Sequence, residues 1–148
     1  MIRQSVVAGM FYANDPDELE QQIEACFKHR LGPGKIGDKK STMIKGMVCT
    51  HAGYQFSGPC AAHSYKALAE SQDPDTIILL GPNHTGRGKS GITKQDFETP
   101  FWIIQTDKEV CTTIIAATNL REDDRPHLNE HSIEVQLPFI QHLLEKTL

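Results

Sequence analysis

Apolar positions along the chain fall into helical and strand-like runs that alternate. Between residues 15 and 31, Leu19, Ile23, Cys26 and Phe27 recur at three- and four-residue steps, the stripe of an amphipathic helix. Asn14 or Asp15 can cap it, Pro16 suits its first turn, and Asp17, Glu18 and Glu20 place acids at its positive end. Gly32, Pro33 and Gly34 stop it. Residues 43–49 and 76–80 are short, mostly apolar runs that predict strands, the second buried on both faces as parallel strands are. Between them a helix is expected from Ser57 or Gly58 to Glu70, with Pro59 in its first turn. Strand, helix and strand over this length make a βαβ unit with a right-handed crossover.

Weaker strands are expected around 90–93 and 101–105. A helix capped by Thr106 or Asp107 should follow, with Val110, Ile114 and Ile115 inward. Residues 121–125 read as a charged loop. A last helix over 131–145 carries Ile133, Leu137, Ile140 and Leu144, and Pro138 should kink or break it. The pattern is α/β, a central sheet with flanking helices in three layers. Two strong strands are few for a covered parallel sheet. The 148 residues are therefore expected to form a single domain that is incomplete at its C-terminus.

Composition narrows the class. A 39% hydrophobic and 23% charged chain is that of a water-soluble globular protein. Its net charge of −4 offers no basic face for nucleic acid, and Lys35, Lys39 and Lys40 read as a solvated loop. No stretch approaches the roughly 18 apolar residues of a membrane span, and no long apolar core of a signal peptide opens the chain. Cytoplasm is the expected compartment. There most of the four cysteines should be thiols. Cys26 and Cys111 are expected in the core, and Cys60 beneath a turn.

The candidate chemistry sits where apolar runs end in glycine-rich turns. His51 lies in THAGYQFSG and His84 in GPNHTG. Strand ends in open α/β folds face the ligand site, and imidazole is the commonest protein ligand of transition metals. Either histidine alone reads as well as a turn residue bonded to backbone. Tyr54 could meet a substrate or join the core, and Asn83 shapes the turn before His84. A third cluster, His127 to Glu134, holds two His and two Glu. Glu130 and Glu134 would share a face if both were helical. His131 could serve as an acid/base group, or the cluster could simply cap a helix. Its order is EHxxE, which implies no zinc-peptidase chemistry. Ser57 lacks a nucleophile elbow, and GPNHTGRGKSG lacks phosphate-loop spacing.

Four pieces in order, VVAGMFYANDPDEL, THAGYQFSGPCAAHSY, ILLGPNHTG and EHSIEVQLPFIQ, resemble the Memo family, whose fold is similar to the class III extradiol dioxygenases. The resemblance spans nearly the whole chain. It implies a pocket at one sheet edge and a mononuclear metal held by His51 and His84, with iron(II) expected and copper the alternative. It matches His131 to a segment that lines the pocket, and Tyr54 and Asn83 become candidate substrate-binding residues. The family's third ligand is a cysteine late in a chain about twice as long. None of the four cysteines here aligns with it, so the third ligand is expected to be absent. The implied function is dioxygenase-like or other redox activity on a small molecule. A non-catalytic module that binds a small molecule, an anion or a peptide is the alternative. The 148-residue form alone is expected to bind metal weakly and to be marginally stable, and an unpaired sheet edge would favour self-association.

Overall fold

The first helix begins where its cap is strongest. In the computed structural model, which describes residues 1–145 with side chains through 143, α1 spans Pro16–Lys28. The Asp15 carboxylate accepts from the backbone N–H groups of Asp17 and Glu18, two of the donors that a helix start leaves unpaired. The stripe Leu19, Ile23, Cys26 and Phe27 is buried, as its spacing predicts.

The second helix, α2 (Tyr54–Ala69), starts three residues ahead of the expected Ser57. Gly53 supplies its N-cap, and the Tyr54 N–H donates to the Phe11 carbonyl at 2.7 Å, so a partner outside the helix fixes the start. Pro59 consequently falls inside the helix rather than in its first turn. Gly58 faces α1 so closely that a Cβ there would lie 2.4 Å from Cys26 Sγ. Glycine at this position lets the two helices meet.

The third helix, α3 (Lys108–Ala117), is capped by Asp107 as expected. None of its side chains is fully buried, although Val110, Ile114 and Ile115 were expected inward. A 3-10 turn over Glu134–Gln136 leads into α4 (Leu137–Glu145), so the regular helix starts six residues after His131. Pro138 sits at the second position of α4, where a missing N–H costs nothing. Leu144 lies outside the described side chains.

Helices α1, α2 and α4 enclose one aromatic core. Tyr65 and Phe139 stack with ring centroids 4.7 Å apart, and Tyr54 and Phe27 lean on the same Phe139 ring. The polar ends of the tyrosines are satisfied, as burial requires. Tyr54 Oη donates to the Val135 carbonyl and Tyr65 Oη to Gln136 Oε1. These bonds fasten residues 134–139 to α2.

The sheet content differs from expectation. Among the described residues the strands are β1 (Ile2–Arg3), β2 (Gly91–Ile92), β3 (Asp96–Phe97) and β4 (Arg121–Glu122). They form two parallel pairs, β1 with β3 and β2 with β4. The fold is α/β, with four α-helices among the described residues beside these small sheets. Residues 121–125, expected as a charged loop, contribute β4 instead. Phe97 and Ile104 make only an isolated antiparallel bridge where a strand over 101–105 was expected. Residues 43–49 and 76–80, the two strongest sequence strands, join no ladder among the described residues. Val48 is 93% exposed and Leu80 90%. Apolar character makes a strand only where a neighbouring backbone answers its N–H and C=O groups. No described helix is long and apolar enough to cross a membrane.

Candidate metal centre

A buried arginine holds the segment on which the site is built. Arg3, on β1, donates from Nε to the His127 carbonyl at 2.8 Å and from Nη2 to the Glu130 carbonyl at 2.6 Å. Its Nη1 pairs with the Glu134 carboxylate. Glu134 is fully buried and also accepts from the N–H groups of Val6 and Val7 and from Tyr12 Oη. The charge is thus desolvated but surrounded by donors, the condition under which a buried ion pair persists. Residues 127–134 are fixed from the chain's N-terminal strand.

Glu130 and Glu134 do not share a helical face. Residues 130–133 are not helical, so the four-residue spacing aims the two carboxylates at different partners. Glu134 meets Arg3, whereas Glu130 meets the loop of His84. Its Oε1 accepts from His84 Nδ1 at 2.9 Å and from the backbone N–H groups of His131 and Ser132 at 2.9 and 3.0 Å. Its Oε2 accepts from the His84 N–H at 2.6 Å. Burial opposes ionisation of this carboxyl, yet the bonds from His84, Ser132 and His131 outweigh it and hold the group down at about 2.

The loop after residue 80 presses on the same segment. A Cβ at Gly81 would fall 2.4 Å from Ser132 Oγ, so only glycine allows this approach. Ser132 Oγ donates to the Pro82 carbonyl. Asn83 turns the loop, with its Oδ1 accepting from Thr85 Oγ1 and the Gly86 N–H and its amide donating to the Arg87 carbonyl.

Three imidazoles converge as a result. His51 and His84 have ring centroids 5.2 Å apart, His84 and His131 4.9 Å, and His51 and His131 6.0 Å. Phe11 backs the His131 ring at 4.7 Å. Neither ring nitrogen of His51 makes a hydrogen bond among the described residues. Burial lowers the His131 pKa, and the His84 and His51 rings add to that against the opposing pull of Glu130. The neutral form of His131 is thereby favoured. One ligand atom from each of His84, Glu130 and His131 lies within 4.8 Å of the others, a spacing compatible with a cation.

The donor set fits a transition metal. A metal about 2.1 Å from each imidazole nitrogen places two ligating rings roughly 4.6 to 5.3 Å apart, centroid to centroid, for coordination angles of about 90 to 109°. The His51–His84 and His84–His131 separations fall in that range, and His51–His131 lies beyond it.

The structure thus brings together the three histidines singled out in the sequence. Tyr54 lies elsewhere: it is 3% exposed in the core, with its hydroxyl given to Val135. Asn83 stands in the His84 loop with its amide engaged by that loop. The histidines do not sit on a sheet edge, because the runs before His51 and His84 are unladdered. Cys60 is exposed rather than packed beneath the turn, and Cys26 is buried. Arg3 escaped sequence reasoning, since a single arginine in MIRQSVV carries no spacing signal. Glu130 was visible only as part of the acidic cluster. A cavity of about 520 Å³ lined by Lys40, His63, Lys66 and Glu70 shares no residue with the histidine cluster.

Known proteins match over the same residues. The family model described as Memo-like protein covers residues 3–148. A MEMO1 family protein of Methanopyrus kandleri is 49% identical over 148 residues, 97% of this chain and 52% of that protein. Others from Methanobrevibacter smithii and Methanothermobacter thermautotrophicus are 46% and 43% identical, covering 96% and 98% of this chain and 53% and 54% of their own lengths. The chain spans about half the length of these curated relatives. With the family model covering nearly every residue and the histidine-bearing segments inside the match, the chain belongs to the Memo-like protein family.

Proposed function

We propose that this chain carries the histidine part of a mononuclear metal centre serving a dioxygenase-like or other redox reaction on a small molecule. The observation that supports it most is the placement of His51. Its imidazole, without a hydrogen bond among the described residues, stands 5.2 Å from the His84 ring, a separation suited to shared coordination. His51 and His84 would hold iron(II), with copper the alternative. The third ligand comes from the half of the relatives' length that this chain does not span. That half would also supply the strands that complete a central sheet around residues 43–49 and 76–80, in the manner of the dioxygenase fold. The chemistry that iron(II) held there would supply is binding of dioxygen and redox exchange with the substrate.

His131 is the acid/base group in this reading. Kept neutral, it can take a proton from a substrate hydroxyl beside the two ligands and return it later. Arg3 and Glu130 hold its segment in place. Asn83 sets the path of the His84 loop, and Tyr54 braces the residues after His131 from below.

Oxygen uptake by the iron(II)-loaded protein, measured over a panel of catechols, tests the activity. Turnover that is lost in His131→Ala while iron stays bound supports the redox reading. Iron retained with no uptake on any substrate would replace it with the non-catalytic binding module.

A further inference from the structure

We infer that Glu130 is the positioning residue of the histidine cluster: it holds His84 with its proton on Nδ1, leaves Nε2 as that ring's donor atom, and is not itself a ligand. The role of Nε2 rests on the metal reading above. The tautomer does not.

Donors crowd the Glu130 carboxylate. A carboxylate has two oxygens and about four lone-pair sites. Glu130 receives four hydrogen bonds, from His84 Nδ1, His131 N and Ser132 N on Oε1 and from His84 N on Oε2. Three of the four come from backbone N–H groups, which can only donate, so the carboxylate is their acceptor. An ionised carboxylate has no hydrogen to give. The 2.9 Å contact with His84 Nδ1 therefore requires the hydrogen to be on Nδ1. In a neutral imidazole the lone pair then lies on Nε2. No described residue hydrogen-bonds that atom.

Coordination through Oε1 would break this arrangement. The Glu130 side chain is 6% exposed, and Oε1 already meets three donors, so turning it toward a cation would strip at least one of them of its acceptor, while Oε2 is held in place by the His84 N–H. A buried donor left unpaired is more costly than an ordinary hydrogen bond is favourable. Ring N–H to carboxylate is also the contact that orients metal-ligating histidines generally. The proximity of His84, Glu130 and His131 is accordingly one ligand, its orienting carboxylate and a neighbouring base, rather than three ligands. His84 is gripped at two points, backbone and ring, by one carboxylate. His131 is gripped only through its backbone N–H, its Nδ1 standing 3.4 Å from Oε1. The same carboxylate thus bonds the ring of one histidine and only the backbone of the other.

The test uses protein labelled with nitrogen-15 in histidine, read by long-range proton–nitrogen correlation spectra and by Zn(II) titration. Zn(II) is diamagnetic and lies above Fe(II) in the usual affinity order. In the metal-free wild type, His84 is expected as the Nδ1–H tautomer, and Zn(II) should perturb Nε2. In Glu130→Ala the Nε2–H form should appear and Zn(II) affinity should fall about 10–100-fold at unchanged stoichiometry. His84 carrying its proton on Nε2 in the wild type would overturn the inference without any variant having to fold. Unchanged affinity in a folded Glu130→Ala would overturn it too, as would loss of one coordination position from the bound Zn(II). A wild type that binds no Zn(II) would sink the metal reading while the tautomer still decides what Glu130 does.

Discussion

Helices α1 and α2 and the extended segments 43–49 and 76–80 are both rich in aliphatic side chains, and the two regions end in opposite environments. Leu19 and Ile23 are fully buried, and Ala62 and Tyr65 of α2 are buried in the same core. Val48 and Leu80 stand in the open. A helix satisfies its own backbone and needs only one covered face. A strand needs backbone neighbours as well as a covered face. The helices find that face inside this chain, in α4 and the N-terminal turn. The extended segments find no strand partner among the described residues and only a little cover, with Cys49 and Leu79 packed against the core, in a chain about half the length of its relatives. Both metal-ligand candidates that follow these segments, His51 and His84, are consequently held by loop contacts rather than by a sheet. At His84 the Glu130 carboxylate and the close approach of Gly81 do the holding, with Arg3 clamping the Glu130 segment, and beside His51 the Gln136 amide donates to the Thr50 carbonyl.

The sharpest way to break this contrast is to attack the clamp. Glu134→Leu leaves Arg3 buried without its carboxylate and removes the acceptor of Val6 N, Val7 N and Tyr12 Oη. Loss of one partner of a buried pair costs about 3–5 kcal/mol. Chemical denaturation should report a loss of that order, together with slower or lost ordering of residues 127–133. A loss under about 1 kcal/mol would mean that Arg3 does not secure the site segment.

A smaller effect is expected at the helical side. Asp15→Ala removes the acceptor of two N–H groups at the start of α1 and should cost about 1 kcal/mol. The change should leave the nuclear magnetic resonance shifts of the histidine rings in place. Movement of those shifts would show that the helical core and the site are coupled more tightly than the contacts indicate.

At the open side the effect should be smaller still. Leu80→Ser and Val48→Ser should each alter stability by no more than about 0.5 kcal/mol, the range of exposed substitutions. Self-association measured by sedimentation should fall, because exposed apolar patches drive it. A cost of several kcal/mol would place these side chains in a buried sheet within this chain.

An acid titration separates the regions in another way. The Lys40 ammonium and the Gly37 N–H hold the Glu70 carboxyl at about 2, below its ordinary 4.5. A depressed carboxyl stabilises the fold above its unfolded value and loses that contribution as pH falls through the folded one. Amide protection of residues 37–42, which Glu70 ties to the end of α2, should therefore decline between about pH 4.5 and 2. Amides within α1 should hold their protection over the same window. Simultaneous loss in both places would mark global unfolding instead.

What could be read from the sequence follows the same division. The start of α1 was legible to within a residue, with Asn14 or Asp15 as its cap, because capping and periodicity are local rules. The start of α2 was not, because the bond from Tyr54 N to Phe11 comes from a distant turn. Two-residue strands such as β1 and β4 leave no periodicity to detect. The runs at 43–49 and 76–80 read as strands because their composition is right, but pairing is decided by other segments. At the site, His51 and His84 were legible as a pair because each ends an apolar run in a glycine-rich turn, and His131 was tied to the pocket by the family resemblance. The separation of Glu130 from Glu134 was not, because the helical spacing rule holds only inside a helix and this helix begins later. Arg3 became visible only once 124 positions of separation collapsed into a hydrogen bond to His127.

The account stands or falls on whether His51 and His84 share a metal. Iron and copper content should be measured in full-length protein purified without oxygen, beside the His51→Ala, His84→Ala double variant. The account predicts metal in the wild type that the double variant loses. Equal metal in the two proteins, or none in either, would contradict it.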